Sequence, residues 1–457
     1  MSVERAAADR RSYGRSAGLL TGALGVAGVL TYAFFALASH SLDPADYGDI
    51  VILWSVVFLL ASTLFRPIEQ LLARTLAERE QAGAGSSDAL GAAVKIQIGL
   101  SLLAVIGLLI ARGPIERELF DGEGALFWIM VASLVGFGLA YYARGFLAGR
   151  GQFRLYAALL VIEVSTRLAF AVVVALGIAG GANLVALGIA TAPIAPLIVL
   201  PLALRQRRAS RPAETGAVPP GGGPELTLGR GGAFAGAVLV MMLTEQVLIN
   251  SGALFVRASE GPAAAGFIFN VLMVARAPLV LFQAIAASLL PHLTRLRARD
   301  DEGSRDAFRS SVEMTLLLVA AFGALTTLGV LAIGPQVMQL AFSDEFDYDR
   351  TGLAIVAVGM GFYLSAASLN QAALAQGQAT RAAACWVLSA LAFIGFMLFA
   401  PLDPFRAVEV GLAGSAALLA ALLGAIYLRP HPSAAQVVEP GSGRELEAQL
   451  LSADEIA

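Results

Sequence analysis

The sequence predicts an all-α polytopic membrane protein of about twelve transmembrane helices in two parallel six-helix repeats. Three observations carry that prediction. The 457 residues are 57 % hydrophobic and only 14 % charged, with a mean hydropathy of +0.74. Soluble domains carry about 25 % charged residues, so polar surface is too scarce here to cover a globule in water. Apolar runs of about 20 residues, enough to span a bilayer as a helix, recur from end to end. Finally, the chain matches itself at an offset of 218. Pro44-Ala45, Gly48, Ile50 and Leu71-Leu72 meet Pro262-Ala263, Gly266, Ile268 and Leu289-Leu290, the mark of an internal duplication.

The expected spans are 17–39, 50–69, 90–111, 125–146, 155–177, 183–204, 231–256, 263–287, 312–333, 353–375, 381–400 and 407–428. The first follows Arg5, Arg10, Arg11 and Arg15 and ends in Ala36-Leu37-Ala38, like a signal peptide. Its apolar part exceeds the roughly 7–15 residues of a signal core, so it is expected to be retained. With the N-terminus inside, 24 of the 31 Lys and Arg fall on the cytoplasmic side and five outside. Basic residues stay in cytoplasmic loops, so both termini are expected in the cytoplasm of a plasma-membrane protein. Residues 205–230, rich in Pro, Gly and charge, read as a flexible cytoplasmic linker. The chain thus divides into a cytoplasmic segment 1–16, lobes 17–204 and 231–428, the linker, and a polar tail 429–457.

Further pairs occupy equivalent places in the two halves, at offsets of 221 to 227. Gly113-Pro114…Leu119-Phe120-Asp121 matches Gly334-Pro335…Leu340-Ala341-Phe342-Ser343-Asp344, expected after spans three and nine. Leu147 to Gln152 matches Leu374 to Gln378, after spans four and ten. Each half has an even number of spans, so the repeats are parallel. Pro67 is expected to break the exit of span two, and Pro193, Pro196, Pro201 and Pro278 to kink spans six and eight.

Several functions are excluded or unsupported. Cys385 is alone, and His40, His292 and His431 lie far apart, so no disulfide or metal site is expected. Lys95 is the only lysine and follows no Gly-rich loop, which removes the usual ATP-binding loop. HExxH and GxSxG are absent, so no enzyme is expected, no cofactor is called, and nucleic acid is not among the expected partners.

Charge at membrane depth costs about 2.5–3.5 kcal/mol on insertion scales and needs a reason. Glu163 and Arg167 in span five, Glu245 in span seven and Arg276 in span eight are the cases. Glu245 and Arg276 fall near mid-membrane on neighbouring antiparallel helices, so they are expected to meet. They form either a cavity that takes an anionic headgroup on Arg276 and a coupling cation or proton on Glu245, or a structural ion pair. Glu163 and Arg167, at i and i+4, share a helix face and either neutralise each other or line the cavity. Arg66 sits near the inner end of span two beside Pro67, as a ligand or a snorkelling side chain. Asn250, Asn270, Asn370 and Gln371 (with Gln283) add polar groups that bond either to sugars or across helices.

Three stretches then show a likeness. Leu42-Asp43-Pro44-Ala45-Asp46-Tyr47-Gly48 resembles the Leu-x-Pro-x-x-Tyr/Phe-Gly turn of polysaccharide flippases, within the multidrug/oligosaccharidyl-lipid/polysaccharide exporter superfamily. Leu147 to Arg154 and Leu289 to Leu296 are similar to other recurring segments of that family. The resemblance implies two lobes forming a V around a central cavity, and alternating access. It implies a substrate made of glycan on a polyprenyl pyrophosphate, received by Arg276, Arg167 and Arg66. H+ or Na+ would be the coupling ion, on Glu245 or Glu163, and a polysaccharide polymerase and glycosyltransferases would be partners. Two rivals stand beside it: a cation-coupled drug exporter of the same superfamily and a non-transporting scaffold of a polysaccharide assembly complex.

Overall fold

The computed structural model describes residues 2–81, 87–198, 201, 228–276, 293, 302–342 and 348–428. Every regular element among them is a helix. The first half holds α1 (Ser2–Ser41), α2 (Pro44–Gln81), α3 (Ser87–Ile110), α4 (Gly124–Gly149), α5 (Phe153–Ala175) and α6 (Ala182–Thr191). The second holds α7 (Leu228–Glu260), α8 (Pro262–Arg276), α9 (Glu302–Phe342), α10 (Arg350–Ala375), α11 (Ala379–Phe399) and α12 (Pro404–Leu428). Ten of these are long and apolar enough to cross a membrane. The two shorter ones, α6 with its 3-10 continuation to Ile198 and α8 to Arg276, run up to the edge of the described residues. Each of the twelve expected spans therefore coincides with a helix, and the chain is a multi-pass membrane protein.

Capping chemistry explains where several helices begin. Asp43 Oδ1 accepts from the N–H groups of Ala45 and Asp46, at 3.1 and 3.0 Å. Pro44 follows as the first helical residue, where its missing N–H costs nothing. The same device opens α12, with Asp403 accepting from the Arg406 N–H at 3.0 Å ahead of Pro404. Asp349 accepts from the Gly352 N–H at 3.2 Å to open α10.

The expected break at Pro67 is absent: α2 passes through it to Gln81, and α9 likewise passes through Gly334-Pro335, beyond the expected end of its span, to Phe342. A membrane helix tolerates proline because neighbouring groups satisfy the freed carbonyl and the surrounding lipid offers no competing water. Span six does stop where its prolines begin: α6 ends at Thr191 and a 3-10 turn runs from Ala195 to Ile198. Pro278, the linker and the tail lie outside the described residues.

Packing repeats between the halves. α1 lies against α5 as α7 lies against α11, and α4 meets α6 as α10 meets α12. α3 and α9 occupy equivalent places at the edge and turn Leu103, Ile106, Leu317 and Leu325 outward, as lipid-facing helices do. Lipid tails are as apolar as leucine, so helices in a bilayer associate through close backbone approach rather than hydrophobic burial. At the α2–α4 crossing that approach is supplied by two glycines. A Cβ at Gly145 would stand 2.8 Å from the Glu69 carbonyl oxygen, and one at Gly149 would stand 2.8 Å from that of Ala73. Between the two halves, α2 lies along α7.

Candidate functional site

The i, i+4 spacing of Glu163 and Arg167 puts both on the face of α5 that is turned inward. Glu163 is 4 % exposed and Arg167 2 %. They do not neutralise each other alone, as the spacing suggested. Arg144 of α4 donates to Glu163 Oε2 in the tighter contact, while Arg167 reaches Glu163 Oε1 at 3.4 Å. The Arg167 guanidinium lies 4.2 Å from the Trp54 ring centroid, and that of Arg144 lies 4.9 Å from Tyr141. Two cations thus share one carboxylate and draw further support from ring faces. The Nε–H groups of Arg144 and Arg167 are buried without an acceptor.

A second carboxylate stands beside this trio. Glu69 of α2 accepts from the Tyr156 hydroxyl of α5 at 2.7 Å. It lies within electrostatic range of Arg144, Arg66 and Glu163. Arg66, one turn before it, is exposed. Its charge acts on Glu69 and Tyr156 in the first lobe and also on Glu245 in the second.

Glu245 and Arg276 do not pair directly. Among the described residues Glu245 accepts from the Tyr363 hydroxyl of α10, and Arg276 donates to the Ile249 carbonyl of α7. Tyr363 lies within electrostatic range of Glu245, Arg276 and Arg66, so all three charges act on one phenol. Of the two arrangements the sequence left open, a direct ion pair does not form: a tyrosine and a backbone carbonyl take its place. Arg276 keeps a buried Nε–H without an acceptor. Tyr32 of α1 donates to the Met273 carbonyl on the turn before it.

The amide side chains separate into two groups. Asn270 is fully buried and accepts from the Tyr47 hydroxyl, joining α8 to α2. Asn250 donates to the Gln246 backbone and side chain at 3.2 and 3.1 Å. Asn270 thus ties two helices together, whereas the Asn250 bonds stay within α7. Asn370 is half-buried and accepts from Trp386 Nε1 at 3.1 Å, with half-buried Gln371 next to it.

Arg144 and Glu69 were missed because the sequence placed them at the inner ends of their spans, where a charge needs no special reason. α4 continues to Gly149 and α2 to Gln81, so both sit well inside. No group of three or more His, Cys, Asp or Glu among the described residues could hold a metal ion.

No family model matches the chain. Uncharacterized proteins of Mycobacterium tuberculosis and Mycobacterium bovis are 26 % identical over 390 residues, covering 82 % of this chain and 81 % of theirs. Among solved structures, an inward-facing multidrug resistance MATE family transporter of the MOP superfamily aligns with a TM-score of 0.67. It is 13 % identical over 88 % of this chain and 93 % of that one. The Vibrio cholerae MATE transporter VcmN aligns at 0.61, with 16 % identity over 91 % and 97 %. The eukaryotic MATE transporter AtDTX14 aligns at 0.61, with 15 % identity over 92 % and 96 %. The chain has the fold that these MATE transporters share.

Proposed function

We propose that this protein is an alternating-access transporter that moves a lipid-linked oligosaccharide across the plasma membrane, receiving its anionic pyrophosphate on Arg66 and Arg276. One observation carries this reading. Arg66 is exposed where the two lobes meet, within range of acidic groups on both, and Arg276 shares Tyr363 with the acidic group of the second lobe. A guanidinium offers five N–H donors in a fork that matches phosphate oxygens. An incoming pyrophosphate would take Arg66 from Glu69 and Glu245 and release those carboxylates to accept protons, which couples the two charges without an ATP site. The arginine distribution supports cytoplasmic termini and entry of the substrate from the inner leaflet. In a deletion strain the oligosaccharide lipid should accumulate in the inner leaflet and one surface polysaccharide should be lost. Arg66→Ala and Arg276→Ala should fail to restore it at normal protein level.

A second reading has its own support. Glu69 and Glu245 are carboxylates beside tyrosines and near the lobe contact, which would serve a cation-coupled drug exporter, and one structural neighbour is described as a multidrug resistance transporter. A deletion strain with unchanged surface glycans and new sensitivity to cationic dyes would favour it.

A further inference from the structure

The two lobes are fastened at the end of the bundle that holds the α1–α2 turn, and the fastening centres on Arg257. This arginine lies in the last turn of α7, and its side chain is 2 % exposed. Everything it binds belongs to the other lobe. Its Nη2 lies 3.3 Å from Asp49 Oδ1 of α2 and 3.0 Å from Asp121 Oδ2 in the α3–α4 connection. Both Nε and Nη2 donate to the Leu119 carbonyl, at 3.3 and 3.1 Å.

The receptor for Arg257 is shaped by local backbone. Residues Ile115–Leu119 form a π-helical turn, a rare geometry that leaves a terminal carbonyl such as that of Leu119 free to bond elsewhere. Asp121 then adopts φ +48°, the one non-glycine positive φ among the described residues. Such a conformation costs of order 1 kcal/mol and persists only where the surroundings hold it. Asp46 and Glu123 lie within range of Asp49, so the first lobe presents a surplus of negative charge and the second lobe answers with one arginine. Below this contact Tyr47 bonds to Asn270, and the Phe35 and Phe269 rings meet at 4.8 Å. These pairs also join the lobes.

We propose that Arg257 is the key of an inter-lobe charge latch, with Asp49, Asp121 and the Leu119 carbonyl as its seat, that keeps the α1–α2 end of the transporter shut. The proposal rests on the alternating-access reading, but its test needs no substrate. Opening this end must pull Arg257 from three partners at once and rehydrate Asp49. Closing restores all of them together, so the latch acts as a switch between two states.

Ala265, on α8 beneath the latch, is 0 % exposed, which makes it a reporter of opening. In purified protein carrying Cys385→Ser and Ala265→Cys, the maleimide labelling rate should rise roughly tenfold with Arg257→Gln, as a loss of about 1.4 kcal/mol of closure free energy requires. Arg257→Lys should give a smaller rise, and Asp121→Asn, whose side chain is 63 % exposed and whose loss does not threaten the fold, a rise of about threefold by the same conversion. Arg309→Gln, which breaks an ion pair exposed on both sides, should change nothing. Wild-type labelling in both Arg257→Gln and Asp121→Asn would overturn the latch. So would labelling that rises equally in Arg309→Gln. Faster labelling in a protein that moves no oligosaccharide lipid would keep the latch and remove the proposed substrate.

Discussion

Gly48 of α2 lies so close to Pro262 of α8 that a Cβ on it would fall inside the van der Waals shell of the Pro262 carbonyl oxygen. The Cβ position of Gly266 in turn looks onto the Gly48 Cα at 3.5 Å. Gly48 and Gly266 are the same position in the two copies of the repeat, so the duplicated turn packs against its own duplicate. A contact between equivalent residues is what a two-fold pseudo-axis produces, and only a residue without a side chain fits there.

Gly48→Ala should therefore push the lobes apart at this end. Overpacking of this kind costs about 1–3 kcal/mol. The closed state should lose that stability, seen as a lower thermal midpoint and as faster labelling of Ala265→Cys. Gly151→Ala, in a turn with open space around it, carries its own backbone strain at φ +65° but should not change that labelling. An unchanged labelling rate in Gly48→Ala would contradict the close contact.

Glu163 holds Arg144 and Arg167 in the same buried cluster. Removing one partner of such a group costs roughly 3–5 kcal/mol, because the others remain buried and unpaired. Glu163→Gln should lower the thermal midpoint sharply, whereas Arg144→Met with Glu163→Gln should recover part of the loss. Thermal unfolding of the three proteins in one detergent measures this. Equal midpoints for wild type and Glu163→Gln would mean that the cluster adds nothing to stability.

The orientation can be checked directly. Cysteines at Ser41 and Ser343 should react with an impermeant reagent added outside intact cells, and one at Ser210 should not. Reaction at Ser210 would reverse the topology.

Much of this was legible in the sequence, for reasons that differ between residues. The spans and the repeat follow from apolar runs and a constant offset, which survive any uncertainty about side-chain direction. Glu163 and Arg167 were placed on one face by their spacing alone. Counting residues along a helix yields depth, however, and not rotation about the axis. Glu245 and Arg276 were thus placed at the same level, but the intervening Tyr363 of α10 could not be foreseen. Arg144 and Glu69 were lost because tolerance of Pro67 and continuation to Gly149 lengthen α2 and α4 beyond their apolar runs. Asn270 was left between a sugar contact and a bond across helices, and its bond to Tyr47, 223 residues away in the chain, was not legible in either copy of the turn.

In the second lobe, just before α10, Asp349 accepts from Arg406 at 2.8 Å and from the Gly352 N–H. Partial burial pushes its carboxyl up, but these bonds outweigh burial and hold it below the usual range. A depressed carboxylate stabilises the fold above its unfolded value, and that contribution disappears as pH falls through the folded value. The thermal midpoints of wild type and Asp349→Asn should therefore differ near neutral pH and converge in acid. A gap that widens with acidity would show that the charged form is not the stabilising one.

Binding of the proposed substrate to purified protein in nanodiscs tests the central claim most directly. Polyprenyl-pyrophosphate-linked oligosaccharide should bind wild type and lose roughly tenfold or more in affinity with Arg66→Ala or Arg276→Ala, as expected where a charge-assisted hydrogen bond worth about 1.5–3 kcal/mol is removed. Tetraphenylphosphonium, a lipophilic cation, should not compete with it. If tetraphenylphosphonium binds through Glu245 while the oligosaccharide lipid binds equally to wild type and both arginine variants, the account is wrong.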